Sequence, residues 1–305
     1  MASQFDLMNI LVGQETDKNY RKKPVIVQGM TGSFGSIHTR LMRDYGTNIT
    51  AGVTPGKGGQ EFDGIPIYNG MGEAVKQTGA SISVIFVPAS NFLRAAIEAL
   101  DNGIKLLVAI PEHVPVIDSL KLIEYAKLKN ARIIGPNTPG IIVPEVTKIG
   151  IMPAQPFKTG NVVLLSRSGT LMYELAYSLS KANFGQKLCM GIGGDPVNGT
   201  NLIECFDIIR GINDVECIVV VGEIGGDAEE LLAEYILETS YPKPVIGYIA
   251  GRSAPKEKRM GHAGAIIYGN YGSAESKMAS FFKSDVPVAK TPSEVPILLS
   301  QRLKK

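Results

Sequence analysis

The sequence is poor in cysteine, in long apolar runs and in charge of one sign, and each shortage excludes a class of protein. Only three cysteines occur, and none has CxxC or CxxxC spacing. We therefore expect buried thiols in a reducing compartment, with no disulfide framework and no metal site. No segment reaches the roughly 20 consecutive apolar residues of a membrane-spanning helix. The 31 Lys and Arg nearly balance the 29 Asp and Glu, which gives no reason to expect nucleic acid or a membrane surface as partner.

Short apolar runs alternate with amphipathic segments along the whole chain, which predicts parallel strands covered by helices on both faces. A stretch with the turn chemistry of a linker, residues 152–160, separates two such sets. The sequence therefore predicts an α/β protein of two domains, residues 1–150 and residues 151–305. Residues 1–23 form a mildly basic N-terminal extension without the apolar core of a signal peptide, so we expect a cytoplasmic protein.

The first predicted strand runs into a glycine-rich turn, Gly29 to Gly35, and then into a helix. Glycines three apart between a strand and a helix allow the backbone to approach a phosphate at the positive end of the helix. The spacing is GxxGxxG, whereas dinucleotide-binding folds have GxGxxG, and no acidic residue ends the next strand to bind a ribose. A phosphate-binding turn is predicted, and NAD is disfavoured.

A second turn, Gly52 to Gly59, contains Lys57 beyond the end of the following strand. A Walker A motif needs four residues between its glycines and a hydroxyl residue after the lysine, and both requirements fail here. An ATP-binding P-loop is excluded. By position Lys57 is either a phosphate contact at the ligand-binding rim of the sheet or an ordinary solvated lysine.

Three features of the second half could bear chemistry, and each has an ordinary alternative. The turn Ser166 to Thr170 leads from a strand into a helix and could bind an anion, or serve only as a helix N-cap. Glu223 follows a strand beside glycines, and could orient an imidazole or be a solvated acid. His262 is flanked by Gly261 and Ala263, which leave its ring open for nucleophilic attack, although loop histidines commonly have no function.

Taken together, the ordered motifs resemble the α subunit of succinyl-CoA synthetase (succinate–CoA ligase) over nearly the whole chain from about Pro24. Citryl-CoA synthetase small subunits are related to that family. The resemblance is carried by GMTGSFGSIH, AGVTPGKGG, GPNTPGII, KIGIMP, LLSRSGTLMYE, MGIGGDPVNGT, GEIGG and IAGRSAPKEKRMGHAGAII.

The resemblance implies a Rossmann-like CoA-binding domain followed by a flavodoxin-like ligase domain, both with mainly parallel sheets. It implies an ATP-grasp β subunit as partner, which binds ATP or GTP with Mg, in a heterodimer or heterotetramer. It makes His262 the phosphoryl carrier and Glu223 the acid that hydrogen-bonds it. The remaining implied residues are Ser166, Ser168 and Gly169 at the phosphohistidine, Thr31, Gly32, Ser33, Phe34, Lys57, Ile110, Pro111 and Glu112 at CoA, and Tyr173 on the substrate side.

Departures from the succinyl pattern leave the acid substrate open. Phe34 stands where glutamine is common, and Ile266 to Gly272, with Tyr268 and Tyr271, reads IIYGNYG where the family has IIAGGKG. Succinate is the first expectation, and citrate or malate the alternatives. A hypothesis of another class is a CoA-binding sensor that retains the fold without the chemistry.

Overall fold

The chain divides into two compact units, Met1–Met152 with Val197–Gly199 and Pro153–Pro196 with Thr200–Lys305. Each has a mainly parallel β-sheet flanked by helices, as predicted. The return of Val197–Gly199 to the first unit is a detail that the sequence did not indicate. The computed structural model describes residues 5–17, 20–255, 260–267 and 272–303.

The sheet of the first unit has the order β3-β4-β2-β1-β5-β6-β7, and its neighbours are parallel except for β3 and β4. The central strands are buried along their whole length, because helices cover both faces. An antiparallel hairpin, β8–β9, follows. The elements are α1 Leu7–Leu11, β1 Val25–Gln28, α2 Ser33–Tyr45, β2 Ile49–Val53, β3 Glu61–Phe62, β4 Ile65–Tyr68, α3 Met71–Thr78, β5 Ile82–Ile85, α4 Ala89–Asp101, β6 Leu106–Ala109, α5 Val116–Leu128, β7 Arg132–Ile134, β8 Gly140–Val143 and β9 Thr147–Gly150.

The strands of the second unit run in the order β14-β13-β12-β10-β11, and all of these neighbours are parallel. Strand β12 is buried at every residue. The elements are β10 Thr159–Ser166, α6 Gly169–Lys181, β11 Gln186–Gly191, α7 Leu202–Arg210, β12 Cys217–Glu223, α8 Ala228–Glu238, β13 Val245–Ala250, α9 Ala274–Lys283, β14 Val288–Ala289, a 3-10 turn Pro292–Glu294 and α10 Val295–Leu303.

The order of the strands determines where a ligand can bind in each unit. In the first sheet the chain leaves β1 towards β2 on one side and later returns to β5 on the other. In the second, β10 likewise lies between β11 and β12. Such switch points open a crevice beyond the carboxyl ends of the strands, where ligands of open α/β sheets bind.

Candidate active site

His262 and Glu223 form a close pair in the second unit. Nδ1 of His262 lies 2.9 Å from both carboxylate oxygens of Glu223, the last residue of β12. The side chain of His262 is 29% exposed and that of Glu223 is 10% exposed. An ionised carboxylate can only accept hydrogen bonds, so in a neutral ring this contact favours the tautomer with the proton on Nδ1 and the lone pair on Nε2. An imidazole in this tautomer is suited to nucleophilic attack through Nε2.

The loop that carries His262 is a tight turn. The amide of Ala265 donates to the carbonyl oxygen of His262 at 3.1 Å, and the amide of Met260 donates to the carbonyl oxygen of Ala265 at 2.9 Å. A methyl group on Gly225, whose φ is +90°, would collide with the carbonyl oxygen of Gly264. Glycine at 225 therefore allows the turn after β12 to reach the histidine loop.

The serine turn lies beside Glu223 because β10 and β12 are neighbouring strands. Ser166 is paired in register with Val221, and the amide of Arg167 donates to the carbonyl oxygen of Val221 at 3.2 Å. The Ser166 hydroxyl donates to the carbonyl oxygen of Ser168 at 2.6 Å and accepts from the Ser168 amide at 3.1 Å. Ser166 thus stiffens the turn.

Ser168 is the N-cap residue of α6, which begins at Gly169, but its side chain makes no capping hydrogen bond. The Ser168 side chain therefore does not cap α6, whereas the Ser166 hydroxyl accepts from the amide of the N-cap residue Ser168. The amides of a helix's first turn lack partners within the helix and carry its positive dipole end. The N-terminus of α6 has the chemistry to hold an anion at the same sheet edge as Glu223.

Tyr173 lies one turn further along α6. Its ring meets that of Phe157 edge to face, with centroids 6.3 Å apart. Burial raises the pKa of Tyr173 to about 12, so the phenol keeps its proton at neutral pH and can donate a hydrogen bond.

The predicted phosphate-binding turn lies at the carboxyl end of β1 in the first unit. Gly29 has φ +80°, and a methyl group on Gly35 would collide with the carbonyl oxygen of Gly29. These glycines permit the chain to turn sharply into α2, which has Gly32 as its N-cap and starts at Ser33. The hydroxyl of Thr31 donates to the hydroxyl of Thr54, at 3.3 Å, and joins this turn to the next.

Lys57 lies on that neighbouring turn, beyond β2, and is exposed. Asn69, which the sequence did not single out, holds the turn: its side-chain oxygen accepts from the amides of Gly56 and Gly58, each at 2.9 Å. A lysine on a rigid turn beside the glycine-rich turn can bind a phosphate with little loss of backbone conformational entropy. The sequence signal that could have identified Asn69 is its position directly after β4.

Ile110, Pro111 and Glu112 follow β6 at the same edge of the first sheet. Ile110 is buried, whereas the Glu112 side chain is 65% exposed. The carbonyl oxygen of Pro111 accepts from the amide of Asn137 at 2.9 Å, which fixes this segment. The structure therefore brings all three predicted CoA segments to one edge of one sheet, although β5 separates the last from the first two.

An aromatic cluster beside the first turn was missed from the sequence. Phe34, half exposed, meets His38 edge to face with centroids 4.5 Å apart, and His38 stacks on Phe86 at 5.9 Å. Burial, assisted by the charge of Lys148, lowers the pKa of His38. The signal was the four-residue spacing of Phe34 and His38 on α2, which places both on one helix face.

Sequence reasoning also missed the charged residues behind Glu223. Arg167, Glu229 and Lys277 are buried in the second unit. Glu229 shares the buried face of α8 with Leu232, and Lys277 shares that of α9 with Phe281. A charged residue in the apolar stripe of a helix was the signal that could have found Glu229 and Lys277, whereas Arg167 lies in the turn between β10 and α6.

Tyr268 and Tyr271, two of the departures from the family pattern, lie outside the described residues. All three cysteines are buried free thiols, as predicted. Among the described residues, no group of three or more His, Cys, Asp or Glu side chains could hold a metal ion. Nor does any helix in the described ranges have the length and apolar character needed to cross a membrane.

Comparison with known proteins assigns a class to each unit. The CoA binding domain family matches residues 20–113, and the CoA-ligase family matches residues 165–282. A CoA binding domain followed by a CoA-ligase domain, each a mainly parallel α/β unit, is the organisation of a CoA ligase.

Full-length relatives identify the branch of that class. The succinate–CoA ligase [ADP-forming] subunit alpha 2 of Archaeoglobus fulgidus is 51% identical over 279 residues, which are 92% of this chain and 96% of the relative. The corresponding alpha subunit of Staphylococcus epidermidis is 47% identical over 95% of this chain and 94% of its own length. The chain belongs to the family of succinate–CoA ligase α subunits.

Solved structures at lower identity share the fold. An ATP citrate lyase of Methanosaeta concilii in complex with (3S)-citryl-CoA matches with a TM-score of 0.83 at 22% identity, over 93% of this chain. A dinucleotide-forming acetyl-coenzyme A synthetase of Ca. Korarchaeum cryptofilum matches with a TM-score of 0.75 at 20% identity, over 97% of this chain. The chain spans 50% of the lyase chain and 62% of the synthetase chain.

Proposed function

We propose that this chain is the catalytic α-type subunit of a nucleotide-dependent acyl-CoA synthetase that joins CoA to succinate. Residues 1–150 would bind CoA, and residues 151–305 would carry the phosphoryl group on His262. The observation that carries the proposal is the contact of His262 Nδ1 with Glu223 at 2.9 Å, at the carboxyl edge of a parallel sheet in a region that matches the CoA-ligase family.

In the first step Nε2 of His262 attacks the γ-phosphorus of a nucleoside triphosphate, and the bond to the departing nucleoside diphosphate breaks. Glu223 holds the proton on Nδ1 and offsets the positive charge that develops on the ring. The amides at the start of α6, with Ser166, Ser168 and Gly169, stabilise the transferred phosphoryl group. Such a cradle of backbone dipoles requires no metal ion from this chain.

In the second step a carboxylate oxygen of the acid attacks the phosphorus on His262, which releases the imidazole and forms an acyl phosphate. The CoA thiolate then attacks the carbonyl carbon and expels inorganic phosphate. Tyr173, protonated at neutral pH, would donate a hydrogen bond on the substrate side.

The first unit supplies the CoA contacts. Thr31, Gly32, Ser33 and Phe34 would hold the CoA phosphates at the start of α2, and Lys57 would pair with a phosphate from the neighbouring turn. Ile110, Pro111 and Glu112 would make a second contact beyond β6. The hydrogen bond between Thr31 and Thr54, which links the first two turns, supports a shared ligand.

We assign the nucleotide and its Mg to an ATP-grasp β subunit. Two observations support this: the sequence has no Walker A motif, and its relatives are named as α subunits of ADP-forming ligases. ATP is therefore the first expected donor and GTP the second. The buried, reduced cysteines support a cytoplasmic setting.

The experiment is CoA-dependent phosphate release by the co-purified heteromer, with succinate, citrate and malate compared at equal concentration. We expect the highest kcat/KM with succinate and none in the His262→Asn variant. A preference for citrate or malate would overturn the substrate assignment. Binding of CoA without turnover of any acid would overturn the enzymatic proposal in favour of a CoA sensor.

A further inference from the structure

A chain of alternating buried charges extends behind Glu223. Arg167 lies 3.7 Å from Glu223 Oε1 through Nη2 and 3.4 Å from Glu229 Oε1 through Nη1. Nζ of Lys277 in turn contacts Glu229 Oε2, and lies 2.9 Å from Glu230 Oε2. The side chains of Glu229 and Lys277 are completely buried.

The same charged groups hold the backbone of the turn that carries Glu223. Nη1 of Arg167 donates to the carbonyl oxygen of Gly225, and Nζ of Lys277 to that of Gly226, each at 3.0 Å. Oε1 of Glu229 accepts from the amide of Glu223 itself at 3.2 Å. Three hydrogen bonds to charged groups thus fix a turn whose glycines have no side chains to pack.

Glycine at position 222 makes this approach possible. A Cβ atom there would lie 2.6 Å from Glu229 Oε1 and 2.7 Å from its Cγ. Glycine at position 222 leaves the space that the Glu229 side chain needs to contact β12.

The energetics favour a positional role over a purely stabilising one. Charges removed from water lose solvation that their mutual attraction only partly restores, and apolar residues of similar volume are commonly as stable. Arg167, Glu229 and Lys277 each contact an opposite charge and also hydrogen-bond to the one turn that begins at the active-site acid, Glu223. Buried polar networks of this kind restrict a structure to one geometry.

We propose that Arg167, Glu229 and Lys277 are positioning residues that set the Glu223 carboxylate on Nδ1 of His262, so that Nε2 faces the phosphoryl donor. The inference rests on the proposed function only in assigning the phosphoryl group to His262. The positioning itself has a readout in the imidazole that does not need turnover.

The test compares Glu229→Gln with Glu234→Gln in the full-length chain. Both replace a glutamate by its amide on α8, but Glu229 is buried and Glu234 is exposed. Nitrogen-15 NMR of the labelled imidazoles reports the tautomer of His262, and only three histidines contribute signals. We expect the Nδ1–H tautomer in wild type and in Glu234→Gln, and a mixture of both tautomers in Glu229→Gln.

Single-turnover phosphorylation of the heteromer by γ-labelled ATP is the second readout. Displacement of the carboxylate by about 1 Å should slow phosphorylation about 100-fold in Glu229→Gln without changing the KM for ATP. A folded Glu229→Gln protein with the wild-type tautomer and rate would overturn the positioning role. If wild type takes no label, the proposed function fails, whereas the NMR comparison still decides the positioning.

A second pair of variants covers the case in which Glu229→Gln does not fold. Arg167→Lys keeps the charge, and Arg167→Gln removes it. We expect Arg167→Gln to lose tautomer preference at His262 and to slow its phosphorylation. Arg167→Lys should retain part of both. Equal tautomer populations in Arg167→Gln, Arg167→Lys and wild type would overturn the proposal as well.

Discussion

The imidazole of His262 packs directly on the backbone of Gly194. A methyl group on Gly194 would lie 2.6 Å from both Cγ and Cδ2 of the ring and 2.9 Å from Nδ1. Carbon atoms cannot approach so closely, so either the ring or the loop must move when position 194 carries a side chain. The glycine therefore determines where the histidine can lie against Glu223.

Gly194→Ala should slow phosphorylation of His262 by about 100-fold, because the ring shifts from its contact with Glu223. CoA affinity should not change, since the proposed CoA turns belong to the first unit and Gly194 to the second. Labelling with γ-labelled ATP and calorimetric titration with CoA measure the two effects. Wild-type labelling would show that the ring tolerates the methyl group.

Lys277→Met should lower the free energy of unfolding by about 3 kcal/mol, because it leaves Glu229 as a buried charge without its ammonium partner. The matched control is Lys187→Met, since Lys187 lies 3.8 Å from Asp214, whose side chain is 76% exposed. That change should cost less than about 1 kcal/mol. Urea denaturation measures both, and equal losses would contradict the account of the buried pair.

The lowered pKa of His38 should make the free energy of unfolding decrease as the pH falls. Its pKa in the folded protein lies below the ordinary value of 6.5, because of burial and then Lys148. Above pH 6.5 the ring is neutral in both the folded and the unfolded protein, so the protonation of His38 takes nothing from the free energy of unfolding. As the pH falls below 6.5, the unfolded chain binds a proton that the folded chain resists, so stability declines until the pH passes the folded pKa.

His38→Phe keeps an aromatic ring between Phe34 and Phe86 but cannot bind this proton. Between about pH 7 and about pH 5 the thermal midpoint of wild type should therefore fall further than that of the variant. Carboxylates affect both proteins equally. A difference between their midpoints that is the same at every pH would contradict the prediction.

Lys57→Ala should weaken CoA binding by about tenfold or more, since a hydrogen bond between charged groups contributes about 1.5 to 3 kcal/mol. Lys76→Ala, on the exposed face of α3, is the control and should bind CoA like wild type. Isothermal titration gives both affinities. If the two variants bind equally well, Lys57 is a solvated lysine and the alternative interpretation of its turn is correct.

The sequence predicted most parallel strands because buried strands of this class are continuous apolar runs. The apolar run Cys217 to Val221 lies in β12, which extends to Glu223, and the amphipathic segment Asn91 to Asn102 lies in α4 and its C-cap. The hairpin β8–β9 was missed. Its turn places Glu145 at φ +61°, a conformation that glutamate rarely adopts and that no residue pattern announces.

The site was predictable where motifs mark strand ends and unpredictable where tertiary packing decides. The position of Glu223 after a strand and the small neighbours of His262 marked each residue as a candidate. Only the fold shows that these two residues, 39 positions apart, meet with His262 Nδ1 2.9 Å from a carboxylate oxygen of Glu223. Asn69 and Lys277 act through the backbone of other segments. Contacts of that kind have no local spacing, so a sequence without its fold cannot assign them.

Phosphorylation of His262 is tested most directly by labelling of the heteromer with γ-labelled ATP, followed by mapping of the label. We expect an acid-labile, base-stable phosphoryl group on His262, which is absent in His262→Ala and is discharged when the acid and CoA are added. Label that persists in His262→Ala, or no label on the wild-type chain, would contradict this expectation.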